Sequence, residues 1–128
     1  MIAKPHNPPS LHPPFSAYSL GMEVSGAERW LHFSGQVGVK KDGSFPPSAE
    51  GQMEECWAKI FTILDSAGME KGNLIKVTGF LTRSDDIGLF RQVRDRLMEG
   101  HEPASTLVIV AGLANPDWLV EIEAVAAA

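Results

Sequence analysis

The sequence holds a single cysteine, Cys56, and one tyrosine. A lone cysteine excludes a disulfide framework and a cysteine-built zinc site. Long apolar runs are missing too. The stretch from Pro103 to Pro116 carries no charge but has only 14 residues, three of them proline or glycine, against the roughly 20 apolar residues a membrane helix needs. The opening Met-Ile-Ala-Lys-Pro-His-Asn-Pro-Pro lacks the apolar centre of a signal peptide, so a cytoplasmic address is expected. Basic side chains are few: 11 Lys and Arg stand against 16 Asp and Glu, a formal charge of −5. That balance provides no stripe of cations for a phosphate backbone and makes nucleic acid an unlikely partner. No Walker loop, dinucleotide fingerprint, H-E-x-x-H pair or G-x-S-x-G elbow occurs.

What is present suits one soluble domain. Of the 128 residues, 44% are apolar and 21% charged, the proportions of a globular protein. A monomer of this size exposes roughly 6,700 Å² when folded and about 20,000 Å² when open, so a real core is within reach. Residues 1–14 contain five of the nine prolines and read as an extended arm, because each proline also keeps its predecessor out of the helical region. Residues 15–128 read as a single domain. His6 and His12, six apart in the arm, read as solvated side chains rather than metal ligands.

Two strand-like runs follow, 17–24 and 29–37, joined by Ser25-Gly26-Ala27-Glu28, which suggests a hairpin. Strict alternation in the second run would put Trp30, His32, Ser34 and Gln36 on one face. Ser48 is a natural N-cap for a helix whose apolar stripe is Met53, Cys56, Trp57, Ile60, Phe61 and Leu64, with Gly68 as its stop. Cys56 lies inside that stripe and reads as packing, not as a nucleophile. Residues 74–82 form a third strand. A second helix opens at Ser84 with Ile87, Phe90, Val93 and Leu97 inward, and Arg91, Arg94, Asp95 and Arg96 on its polar side. Arg91 and Asp95 have the spacing of an ion pair. Residues 106–111 and 119–126 are the last strands. The order ββ-α-β-α-ββ implies an α+β fold with two helices on one face of a mixed sheet.

Leu107-Val108-Ile109-Val110 is apolar on both faces, so both faces need cover. Two helices cover one, which leaves the second for another copy of the chain. In the last strand Glu121 and Glu123 alternate with Val120, Ile122 and Ala124, placing two carboxylates opposite the core. Such a carboxylate can act as a general base or hold a water; it can equally sit in an interface ion pair. His32 reads as structural and His101 as exposed.

Five segments in order carry a resemblance: Phe33-Ser34-Gly35-Gln36-Val37, Asp65-Ser66-Ala67-Gly68, Val77-Thr78-Gly79-Phe80-Leu81-Thr82, Pro103-Ala104-Ser105-Thr106 and Val120-Glu121-Ile122-Glu123-Ala124. Together they resemble the RidA/YjgF family, also labelled the L-PSP endoribonuclease family, from about Pro14 to Val125. The resemblance implies a chorismate-mutase-like domain in a homotrimeric barrel, with ligand clefts between subunits. It implies hydrolysis of enamines or imines to keto acids and ammonia, with no cofactor and no metal. Tyr18, Ser34 and Glu121 match site positions of the family, Glu121 being the one that holds the attacking water. Where the family has the arginine of P-A-R-S this chain has Ser105, which cannot supply a planar cationic fork for a carboxylate. Leu107 and Ile109 depart as well, from a cysteine and a glutamate. Arg91, about where the family has an asparagine facing the cleft, is a candidate replacement cation. Three functions follow: a deaminase-type hydrolase with an altered substrate class, a non-catalytic trimeric metabolite-binding or regulatory protein, and an endoribonuclease, which the acidic balance disfavours.

Overall fold

A computed structural model describes all residues, Met1–Ala128. Its elements run β1 (Ile2–His6), β2 (Gly21–Ser25), β3 (Trp30–His32), β4 (Gln36–Val37), α1 (Ala49–Ser66), β5 (Leu74–Leu81), α2 (Ile87–Met98), β6 (Ala104–Ile109) and β7 (Val120–Ala127). The main sheet has the order β3-β7-β5-β6, with β4 also on β7. β6 runs parallel to β5, while β7 is antiparallel to both of its neighbours, so the sheet is mixed. Both helices lie on one face, as the pattern requires.

The core is the apolar side of α1 and α2 against that face. Met53, Cys56, Trp57, Ile60 and Leu64 of α1 are buried, as are Phe90 and Val93 of α2 and Val120, Ile122 and Ala124 of β7. Ser48 caps α1 by accepting a hydrogen bond from the Gly51 amide at 3.1 Å. The helix ends before Gly68, whose φ of 67° is a left-handed conformation natural to glycine. Gln52, buried in the same helix, binds the carbonyls of Pro46 and Asp117 through its amide and accepts from the Leu119 amide at 2.8 Å. It fixes the chain just before β7. The second helix starts later than expected: Ser84–Asp86 is a 3₁₀ turn, Ser84 makes no side-chain cap, and Asp86 pairs with Arg83 at 2.8 Å.

Three expectations are corrected. The 17–24 run does not form a hairpin with the 29–37 run. Instead the proline-rich arm pairs with β2 over Ile2–His6, forming a separate two-stranded ribbon. Pro5 fits there because an edge strand can lose a donor. Ser19, just ahead of β2, is stitched to the start of β6: its amide binds Pro103 O at 3.1 Å and its hydroxyl binds Glu102 O at 2.6 Å. The start of β3 is instead tied to the C-terminus, through Glu28 and Arg29 amides on Ala128 O. The two runs thus belong to opposite edges of the main sheet.

The second correction concerns alternation in the 29–37 run. His32 pairs with Val125 and Gln36 with Ile122. Three residues, Phe33 to Gly35, therefore oppose two on β7. This is a β-bulge, and one extra residue exchanges the faces beyond it. Gln36 lies on the helix side with Ile122, and Val37 on the open side with Glu121. Third, His101 is not exposed; it is half-buried, its Nε2 2.7 Å from the carbonyl oxygen of Leu74.

Candidate functional site

The sheet register sorts the open face. Residues opposed across strands share a side of the sheet, so Glu121 stands beside Phe80 and Val37, Glu123 beside Thr78, and His32 beside Val125. None of these faces the helices. Val108, opposite Phe80, is 39% exposed and Trp30 is 53% exposed, so this face carries uncovered apolar surface in the single chain. Ile109, opposite Leu81 on the helix-facing side, is also 45% exposed, so the end of β6 lacks cover on both sides and only Leu107 reaches the core.

Glu121 is half-buried, whereas Glu123 is exposed. The Glu121 carboxylate lies directly against the bulge. A Cβ built on Gly35 would come 1.9 Å from its Oε1 and 2.8 Å from its Cδ, so only glycine leaves that space free. Ser34, next to it, is exposed and its carbonyl accepts from the Gln36 side-chain amide at 2.9 Å. On the far side of the bulge Cys56 donates its S–H toward Gln36 O at 3.3 Å, and Lys59 donates to Val37 O at 3.0 Å. The helix thereby holds the bulge, and the bulge frames the carboxylate. Burial pushes the Cys56 thiol up to about 12, with the charges of Glu121 and Glu55 adding to the rise and Lys59 opposing it. This thiol is inert packing, as its place in the stripe indicates. The ion pairs of the chain involve Glu23, Glu54, Asp86, Asp95 and Glu99, leaving Glu121 without one.

A second group forms on the helix side, at the β6 edge. Ser105 pairs with Val77 and Leu107 with Gly79, both on the helix-facing side of β5. Together with Phe15, Ser16, Tyr18, Arg91 and Arg94 they line a cavity of about 180 Å³. Tyr18, Arg91 and Ser105 are thus brought together. Ser34 and Glu121 are not in this group. Glu121 faces the other side of the sheet, two strands away from β6, and Ser34 lies in the bulge on the far edge of β7.

Arg94 was assigned to the solvated side of α2, and the structure overturns that. It is 4% exposed. Its Nη2 donates to Ser16 Oγ at 3.1 Å and its Nε to Asp95 Oδ1 at 3.0 Å. Asp95 therefore pairs with Arg94, not with Arg91. The signal was available in the spacing: Phe90, Arg94 and Met98 form one buried row at intervals of four. The two arm histidines are engaged separately, His6 with Glu23 at 2.6 Å and His12 stacked on Phe15.

Comparison with known proteins bears on this arrangement. A family model described as Endoribonuclease L-PSP matches residues 10–128. The 2-iminobutanoate/2-iminopropanoate deaminase of Mus musculus is 29% identical over 111 residues, which cover 85% of this chain and 79% of that protein. Among solved structures, YyfB from Yersinia pestis, of the conserved Rid protein family, matches with a TM-score of 0.88 at 26% identity over 100% of both chains. E. coli TdcF with bound serine matches with a TM-score of 0.74 at 28% identity, over 90% of this chain and 91% of that one. No helix of the chain is long and apolar enough to cross a membrane. In its sequence and in its two helices on a mixed sheet, the chain belongs to the RidA/YjgF family, the Endoribonuclease L-PSP family of the matching model.

Proposed function

We propose that this protein is a RidA-like small-molecule hydrolase of the imine or enamine deaminase type, working without cofactor in clefts between the subunits of a cytoplasmic homotrimer. Residues 15–128 make up the working domain, and 1–14 are its arm. The observation that carries this reading is the division of the candidate site. Glu121 faces one side of the sheet, beside the bulge that holds Ser34, while Tyr18, Arg91 and Ser105 line a cavity on the other. A cavity of about 180 Å³ is below the roughly 300–1,000 Å³ of a complete small-molecule site, as half a cleft would be. Association through the uncovered apolar face would bring one chain's Glu121 to another chain's cavity.

In this mechanism Glu121 holds a water and takes its proton as the oxygen bonds to the imine carbon. That proton passes to the nitrogen and gives a carbinolamine; Glu121 then moves the proton of the new hydroxyl to the amino nitrogen, the carbon–nitrogen bond breaks, and ammonia leaves as the carbonyl forms. A purely binding role would favour an acidic group locked in an ion pair, and Glu121 has none within the chain. Ser105 removes the family cation from β6, so the substrate class is altered, and Arg91 supplies positive charge from α2 instead. The test generates 2-iminobutanoate in place by oxidising 2-aminobutanoate with an amino-acid oxidase, and follows ammonia release. The wild type accelerates release over buffer, and Glu121→Gln loses about 100-fold or more of that acceleration. A wild type no faster than buffer both on 2-iminobutanoate and on a panel of imines and enamines without a carboxylate refutes the hydrolase.

A further inference from the structure

A separate cavity, of about 510 Å³, opens between the C-terminal ends of α1 and α2 and the 3₁₀ turn Lys71–Asn73. It shares no residue with the β6-edge cavity, and its volume is that of a whole small-molecule site. Buried Met69 and Met98 and the half-buried Phe61 ring form its apolar wall. Around that wall stand the carboxylates of Asp65, Glu70 and Glu99 and one ammonium, that of Lys71. Asp65 lies in the last turn of α1, which contains no basic residue, and Glu99 is the C-cap of α2. Acids in these places meet the negative ends of both helix dipoles, an arrangement that costs stability. Arg29 binds the Ala67 carbonyl at the end of α1, yet neither Asp65 nor Glu70 enters an ion pair. The cavity already displays the chemistry it accepts. Lys71 Nζ stands 4.5 Å from the centroid of the Phe61 ring and 3.4 Å from Glu99 Oε1, so an aromatic face and a carboxylate share one ammonium. The carboxylates do not converge on a point, for no group of three His, Cys, Asp or Glu side chains in the chain is placed to hold a metal ion. Spread around an apolar wall, they suit a cation that is long rather than compact.

We propose that this cavity binds a short aliphatic diamine as its diammonium ion. Three carboxylates against Lys71 leave two negative charges at the cavity, which two ammonium groups balance. One ammonium lies at Asp65 and Glu70. The other competes with Lys71 for Glu99 and the Phe61 face, and the alkyl chain between them rests on the Met69 and Met98 thioethers, which adapt to irregular apolar shapes. A bound dication also relieves the cost of the two acids at the helix ends. The site stands apart from the one assigned to hydrolysis, and binding there requires no turnover.

The test is isothermal titration calorimetry of the full chain with 1,4-diaminobutane at low ionic strength, against 1-aminobutane, butane-1,4-diol and magnesium chloride. The diamine binds, the monoamine binds at least about 3-fold more weakly, and the diol and magnesium give no saturable heat. The double variant Asp65→Asn with Glu70→Gln weakens diamine binding about 3- to 10-fold. Lys71→Met strengthens it by a similar factor, about 3- to 10-fold, because the competing ammonium is gone and the Phe61 face is free. Asp65 and Glu70 are exposed, so the double variant keeps its fold and carries the test alone should a thermal melt show Lys71→Met to be damaged. Magnesium binding as tightly as the diamine overturns the proposal, since diffuse attraction to an acidic surface would then suffice. So does the absence of diamine binding up to about 10 mM, wild-type affinity in the double variant, or a folded Lys71→Met protein that binds the diamine more weakly than the wild type.

Discussion

Replacing Gly35 by alanine separates the position of Glu121 from the stability of the fold. The added methyl would lie 1.9 Å from Glu121 Oε1, 2.8 Å from Cδ and 3.0 Å from Cγ, contacts that the side chain must leave. The atoms in conflict belong to the end of a flexible side chain, not to backbone. Gly35 is not among the residues with positive φ, so alanine meets no backbone penalty and gains about 0.4–1 kcal/mol by restricting the unfolded chain. Turning Glu121 to a poorer rotamer costs about 0.5–1.5 kcal/mol. The two effects nearly cancel, and the melting temperature should stay within about 5 °C of the wild type. The carboxylate, however, moves by more than 1 Å, and a misplacement of that size costs about 100-fold in rate. Paired thermal melts and ammonia-release assays on 2-iminobutanoate check both halves. A Gly35→Ala protein that hydrolyses the imine at the wild-type rate would refute the role given to the bulge. A melting temperature lowered by 15 °C or more would show that the bulge cannot accept a methyl at all.

Gly79→Ala should behave in the opposite way. Its methyl would meet Phe90 Cζ at 2.7 Å and Leu107 Cδ1 at 3.0 Å inside the core, and a destabilisation of about 1–3 kcal/mol is expected in urea unfolding. Cys56 should resist iodoacetamide at pH 8 in the native state, since a thiol held at about 12 is ionised to only about one part in ten thousand there; denaturant should release full labelling. Its raised value also gives a sign for pH dependence. The stabilisation is complete below the unfolded value of 9.0 and is lost as pH rises toward about 12, so urea midpoints should fall across that window by up to about 4 kcal/mol in stability. Light scattering should give a mass near three times the 13.9 kDa of one chain, and Val108→Glu, which puts a charge on the uncovered face, should reduce it; a wild-type mass of 13.9 kDa would refute the shared cleft.

The helices were legible in the sequence because their information is local. The α1 stripe, the Ser48 cap and the Gly68 stop are written within 21 consecutive residues, and each matches its place in the structure. The alternation in Val120 to Ala124 was legible for the same reason. The pairing of β2 was not, because Gly21–Ser25 suits an arm strand as well as a hairpin, and the choice rests on Ser19 meeting Glu102 and Pro103 far along the chain. Nor was the bulge, since an extra residue exists only relative to a partner strand. Among the candidate site residues, Tyr18, Arg91 and Ser105 line one cavity while Glu121 faces the other side of the sheet, a division that only the strand register reveals. Arg94 was missed because arginine reads as solvent-facing, although its row with Phe90 and Met98 marks it as buried.

The uncovered sheet face around Trp30, Phe80 and Val108 makes stability a property of the solution as well as of the chain. In the proposed trimer, three unfolded chains replace one native assembly, so mass action enters the melting equilibrium to the second power of concentration. Each tenfold dilution then removes about 2.7 kcal/mol per assembly, or about 0.9 kcal/mol per chain. A protein sized to fold alone would by this route melt earlier when scarce than when abundant, and its cellular level would set how much of it is folded.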